Sequence, residues 1–146
     1  MTIRVEIVSQ DSRVFEGDVD MVTLPGIEGE MGVLPGHAPL LTALSYGIIT
    51  VKGKENHAFT VAGGIVEVLP DVVTVLADAA EDVDEINIER AEAARRRAEE
   101  SLKNAPPEGK EDYLAIEAAL RRSNLRIEAA KKYRHEKRYT HSNDED

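Results

Sequence analysis

Few residues in the chain are placed to do covalent chemistry. Gly26, Gly29 and Gly32 follow the spacing Gly-x-x-Gly-x-x-Gly, which could cradle a phosphate with backbone N–H groups. The run lacks a Gly-Lys-Ser/Thr ending, no helical pattern follows it and strand-like segments flank it, so it reads as turns. His37 lies in Leu34-Pro-Gly-His-Ala-Pro39, where a general base or a metal ligand would need convergent partners. No His-x-His or His-Glu-x-x-His spacing supplies them, and a structural or contact role is the simpler reading. His135 and His141 fall in a basic segment and a polar tail, away from any metal-ligand spacing. Cysteine is absent, which removes disulfides, thiolate metal sites and thiol nucleophiles. With no paired acids, nucleophile motif or cofactor fingerprint, the residues point to binding or mechanical work. Neither a metal nor an obligatory cofactor is expected.

Composition narrows the classes further. At 146 residues the chain is one compact domain or a small domain with an appendage. Six aromatic residues, none of them Trp, argue against a stacking platform for bases or sugars. A net charge of -10 opposes nucleic-acid binding, which begins with phosphate neutralisation. No run of 18 apolar residues is present, so no membrane span is expected, and residues 1 to 8 alternate like a strand rather than a signal peptide. The expectation is a soluble intracellular protein.

Charge and period both change near Asp84. Residues 1–84 hold four basic residues (Arg4, Arg13, Lys52 and Lys54) against fourteen acidic ones, whereas the remainder is balanced. Within that remainder, eight basic residues between Arg121 and Arg138 face only Glu128 and Glu136. Such a stretch suits an acidic partner, or else forms a solvated helix face. In the first half Ile3, Val5 and Ile7 alternate with polar residues, as a half-buried strand requires. Strand-like segments follow at 19–24, 31–34, 47–52, 57–62, 64–69 and 72–77, separated by turns such as Pro25-Gly26, Pro35-Gly36 and Gly63-Gly64. Short strands without intervening helices predict an all-β sandwich or barrel over 1–84.

The second half predicts an antiparallel α-helical hairpin over 85–139. A first helix starts at Ile86 and carries Ala91, Ala94, Ala98, Ser101 and Ala105 on one stripe. Asn104-Ala-Pro-Pro-Glu-Gly-Lys110 breaks it. A second helix from Lys110 to Arg138 places Tyr113, Ile116, Leu120, Ser123, Ile127 and Ala130 at the same spacing. Residues 140–146 are polar and expected to form a disordered tail.

Three segments carry a resemblance to a known family. Gly29-Glu-Met-Gly-Val-Leu-Pro-Gly-His-Ala-Pro-Leu-Leu-Thr-Ala-Leu44, Val61-Ala-Gly-Gly-Ile-Val-Glu-Val68 and Val73-Thr-Val-Leu-Ala-Asp-Ala79 closely resemble the epsilon subunit of bacterial and chloroplast F-type ATP synthases, called delta in mitochondria. The resemblance runs to Arg138. It implies a non-catalytic rotor subunit in the central stalk, peripheral at the cytoplasmic face of the bacterial cell membrane and not inserted in it. Its β-sandwich would sit between the gamma subunit and the ring of c subunits, coupling proton flow to ATP synthesis. By the same resemblance Glu28, Gly29, Glu30 and Met31 would face the c ring, and Ser9, His37 and Thr42 would meet gamma.

The family's hairpin is a switch. Extended along gamma it reaches the alpha and beta catalytic subunits and inhibits ATP hydrolysis. About 50 helical residues at 1.5 Å each would reach on the order of 70 Å. Arg121, Arg122, Lys131 and Lys132 are the basic residues expected to act in that inhibition. Some members bind ATP through an Ile/Leu-Asp-x-x-Arg-Ala motif, here Ile86-Asn87-Ile88-Glu89-Arg90-Ala91, together with arginines that match Arg122 and Arg126. Asn87 keeps hydrogen-bonding groups without the charge, so ATP is a candidate regulatory ligand of Ile86, Asn87, Arg90, Arg122 and Arg126. The competing readings are a free-standing ATP-sensing module whose hairpin clamps the nucleotide, and a small enzyme using His37. The latter lacks acid and nucleophile partners.

Overall fold

The computed structural model describes the backbone of residues 1–104 and 109–143, with side chains described outside 135–143. The chain divides into two units, Met1–Val83 and Asp84–Asp146. The first is built from β1 (Ile3–Val8), β2 (Arg13–Val19), β3 (Met21–Gly26), β4 (Gly29–Val33), β5 (Leu40–Lys52), β6 (His57–Val68), β7 (Val72–Ala77) and β8 (Ala80–Asp82). Neighbouring strands follow the order β2-β1-β7-β6-β5-β3-β4, with β8 on β6. Only β1 and β7 run parallel; the other pairs are antiparallel.

The fold is the expected β-sandwich. Alternation drives Ile3, Val5 and Ile7 of β1, Val66 and Val68 of β6, and Val73 and Val75 of β7 into one core with Leu24, Val33, Ile49, Val51, Phe59 and Val61. Thr60 is the one buried polar residue in this unit among the described residues.

Two long strands join the layers, and here the structure differs from the sequence expectation. Segments 57–62 and 64–69 are one strand, and Gly63-Gly64, read as a turn, lies inside it with φ of +90° and +139°. Leu44 pairs with Gly64 and Tyr46 with Ala62, so the register with β5 runs unbroken past Gly63. Beyond it β6 exchanges neighbours, pairing with β8 through Phe59–Val61 and with β7 through Gly64–Val68. A Cβ on Gly64 would lie 2.4 Å from the Leu76 carbonyl oxygen, so the close approach as well as the dihedral requires glycine. Likewise β5 begins at Leu40, because Leu40–Leu44 pair with Val68–Gly64.

The second unit holds a short 3-10 turn (Val83–Glu85 overlaps its start) and two packed helices, α1 (Ile88–Asn104) and α2 (Lys110–Asn143). α1 starts two residues later than expected, because Asn87 caps it: its Oδ1 accepts the Arg90 N–H at 3.0 Å. Ala91 and Ala98 are buried as expected, and so are Ser123, Ile127 and Ala130 of the matching stripe on α2. Ser101 and Tyr113 are not in the seam; both are exposed, and the Ser101 hydroxyl donates to the Arg97 carbonyl at 2.9 Å. Ala105 lies outside the described residues. α2 also runs past Arg138 into the segment expected to be disordered, since no Pro or Gly follows Gly109 to stop it. Residues 144–146 lie outside the described residues.

Candidate functional site: an exposed sheet face and a basic helix

The hairpin tip between β3 and β4 is a two-residue turn, Ile27-Glu28, set by the pairing of Gly26 with Gly29. Gly29 adopts φ of +138°, and a Cβ on Gly26 would lie 2.8 Å from the Gly29 carbonyl oxygen, so glycine at both ends makes the turn possible. Glu28, Gly29 and Glu30 are exposed, whereas Met31 is half-buried against the core. Ile27, which the sequence did not single out, is 65% exposed at the tip. Its N–H donates to the Ala43 carbonyl at 3.0 Å, tying the tip to β5.

Ser9, His37 and Thr42 do not converge on a point. Ser9 follows Val8 at one end of β1, where its N–H donates to the Ser12 carbonyl at 2.9 Å. The His37 loop is held at the other end of the sheet, because the Gly36 N–H donates to the Pro70 carbonyl at 2.8 Å. His37 Nδ1–H donates to the Ala38 carbonyl at 2.7 Å, a local bond that assembles no catalytic partners. Thr42 is half-buried and pairs with Val66, so it has the parity of the core residues rather than of the outer face.

The outer face that these residues border is formed by side chains of the opposite parity. Ala43 pairs with Ile65, Ile65 with Leu76, and Leu76 with Val8, which aligns four apolar residues across β5, β6, β7 and β1. Ile65 is 52% exposed and Leu76 56%. Leu41, two residues along β5 on the same side, is 69% exposed. An aligned apolar row of this kind on a sheet face marks a contact surface more than scattered exposed residues would.

The adjoining row is polar: Glu67 opposite Thr74, Thr74 opposite Glu6, and Glu6 opposite Glu16. Arg4 sits among these acids, hydrogen-bonded to Glu16 and paired with Glu6 at 3.5 Å and Asp18 at 3.8 Å; Arg13 also binds Glu16. The Arg4 hydrogen bond holds the Glu16 carboxyl below its ordinary value of 4.5. A depressed carboxylate stabilises the fold above its unfolded pKa, and that contribution is lost as pH falls through the folded one. Thermal unfolding of the parent and Glu16→Gln should therefore differ by a small Tm gap at pH 7 that closes in acid. Because the groups are exposed, 1 M salt should shrink the gap as well.

In the helical unit, Arg134 at the far end of α2 reaches the carbonyls of Asp84 and Ile86, so the helices run antiparallel. Counting from that contact at 1.5 Å per residue, Arg90 lies about 6 Å along the axis, Arg126 about 12 Å and Arg122 about 18 Å. Ile86 is buried, Asn87 Oδ1 is occupied by capping, Arg90 and Arg122 are exposed, and Arg126 is half-buried. Glu117 lies 3.8 Å from Arg121 rather than beside Arg122. Arg121, Arg122, Lys131 and Lys132 are all exposed, and Lys132 Nζ stands 5.4 Å from the Tyr133 ring centroid. No helix among the described residues is long and apolar enough to cross a membrane.

Comparison with known proteins covers both units. Residues 2–83 match the family described as ATP synthase, Delta/Epsilon chain, beta-sandwich domain, and residues 84–131 match ATP synthase, Delta/Epsilon chain, long alpha-helix domain. The ATP synthase epsilon chain of Halalkalibacterium halodurans is 45% identical over 130 residues, 88% of this chain and 97% of the relative. That of Bordetella petrii is 44% identical over 143 residues, 96% of this chain and 99% of the relative. A chain in the cryo-EM structure of Euglena gracilis mitochondrial ATP synthase, OSCP/F1/c-ring in rotational state 1, superposes with a TM-score of 0.69 at 27% identity, covering 82% of this chain and 76% of that one.

Proposed function

The chain belongs to the ATP synthase delta/epsilon family, a family of non-catalytic subunits, and from that premise we propose that it is the rotor component docking gamma through the outer sheet face. The aligned row Ala43, Ile65, Leu76 and Val8 carries this reading. Gamma would cover the row, with Ser9, His37 and Thr42 at its border. The Ile27-Glu28 turn, with Gly29, Glu30 and Met31 behind it, would meet the polar loops of the c ring. Torque passes better through a short turn held by a sheet than through a loose loop. The subunit would work peripherally at the cytoplasmic face of the bacterial membrane, coupling proton flow to ATP synthesis without entering the bilayer. Immobilised full-length chain should recover gamma and c subunits from detergent-solubilised membranes. Recovery of neither would contradict the proposal.

The helical unit would restrain hydrolysis when α2 extends to the alpha and beta subunits. α1 offers the seam only the small side chains Ala91 and Ala98 as buried groups, at about 0.8 kcal/mol per carbon, so the packing is weak enough to reverse. Exposed Arg121, which pairs with Glu117 here, and Arg122, Lys131 and Lys132 would gain the acidic groups of the catalytic subunits only in the extended state, which is the differential contact a switch needs. Replacing all four by Ala in the assembled enzyme should weaken inhibition and flatten its salt dependence. Single exposed pairs contribute about 0 to 1 kcal/mol, so the effect needs all four. Unchanged inhibition at low salt would mean that the basic face is only solvated. ATP would act as a regulatory ligand through Arg90, Arg122 and Arg126, with Asn87 serving as a helix cap in place of an acidic group.

A further inference from the structure

One side chain fastens the open end of the helical hairpin. A helix beginning one turn earlier would send the Arg90 N–H to the Ile86 carbonyl. Here the Asn87 side chain takes that N–H, while the Asn87 carbonyl accepts the Ala91 N–H at 3.1 Å. The cap therefore releases the Ile86 carbonyl from the helix, and Arg134 takes it. Nη2 of Arg134 donates to the Ile86 carbonyl and, at 3.1 Å, to the Asp84 carbonyl. These contacts span 48 and 50 residues of chain.

We propose that Arg134 is a latch: its two bonds hold the end of α2 against the start of α1 and so set how readily the hairpin opens. This rests on the reading of the hairpin as a switch. A guanidinium suits the task because one nitrogen presents two N–H groups to carbonyls on either side of Glu85, and charge-assisted bonds are stronger than neutral ones. The same position limits the latch. A cation beside the N-terminus of α1 meets the positive end of the helix dipole, which opposes it. The neighbouring Asp84 and Glu85 carboxylates offset that opposition. A contact balanced in this way exists only in the closed hairpin and can be broken, leaving the start of α1 without its tie to α2.

The test is hydrogen exchange on the full-length chain, comparing the parent with Arg134→Met, which keeps an apolar stem and removes every donor. Exchange at Arg90 and Ala91, and along α2 at Ile127 to Arg134, should rise about tenfold, as loss of a charge-assisted contact implies. Exchange in β1, β6 and β7 should stay as in the parent. Arg134→Lys, with a shorter stem but three donors, should recover part of the protection. Parental exchange throughout the helical unit of Arg134→Met would overturn the latch, as would a rise spread equally over the β unit. The switch reading is judged separately, by hydrolysis in the assembled enzyme. If exchange rises in Arg134→Met and inhibition does not deepen, the latch stands and the switch reading fails.

Discussion

A chain ending at Val83 should release ATP hydrolysis in the assembled enzyme by on the order of tenfold, within the 1–3 kcal/mol typical of coupling between sites. Its ATP synthesis should stay near that of the parent. The expectation follows from how the two units are built. Every residue of the principal core, from Ile3 to Ala77, belongs to the first unit, and the strand order closes without either helix. The sheet face and the Ile27-Glu28 turn also remain intact. What the truncation removes is the whole basic surface of α2. Hydrolysis rates and ATP-driven proton pumping in membrane vesicles are the readouts. An unfolded fragment, or an enzyme that hydrolyses ATP without pumping, would contradict the separation of coupling from restraint.

The second large effect is expected at the sheet face. Leu76→Glu should weaken attachment to gamma by about a hundredfold to a thousandfold, because a carboxylate would be pressed into an apolar contact at a cost of several kcal/mol. Leu76 is more than half exposed in the chain itself, so the fold should tolerate the change. Its cross-strand neighbours are Ile65 and Val8, so no like charge stands directly opposite. Affinity for enzyme stripped of the subunit, measured beside the thermal unfolding of the free variant, separates a binding defect from a folding one. A variant that folds and binds as the parent does would remove the apolar row from the interface.

Local signals made much of the architecture legible. Alternation in Ile3-Arg-Val-Glu-Ile7 and the small-residue spacing of Ala91 and Ala98 each report which face is buried, and the structure buries those faces. Elsewhere tertiary pairing overrides local chemistry. Gly63-Gly64 has turn composition, yet it bends a continuous strand that serves two neighbours. β2 carries no strand signal of its own, because an edge strand with Arg13, Glu16, Gly17 and Asp18 shows little apolar alternation, and neither does β8, whose three residues form a strand only by pairing with β6. Residues of the first helix lost their expected role when a local bond intervened, as Ser101 did.

The candidate site was legible only in pieces. The turn at Glu28 to Met31 could be found from its glycines, but Ile27 beside it carries no signal until its exposure is known. The apolar row joins Val8, Ala43, Ile65 and Leu76, which are far apart in the chain and become neighbours only through register. Arg134 is one of eight basic residues between Arg121 and Arg138, and nothing local distinguishes it from Lys131 or Lys132. Its partners lie about 50 residues away, beyond any periodic pattern.

The central claim is that two different surfaces of one β-sandwich meet two different partners, and the absence of cysteine allows a direct measurement. Ile65→Cys and Ile27→Cys, introduced separately and labelled with a short thiol-anchored photo-crosslinker, are incorporated into the assembled enzyme and illuminated, and the joined peptides are identified by mass spectrometry. The account predicts that the label at position 65 joins gamma and the label at position 27 joins a c subunit. Links from position 65 to the c ring, or from position 27 to gamma, would contradict it.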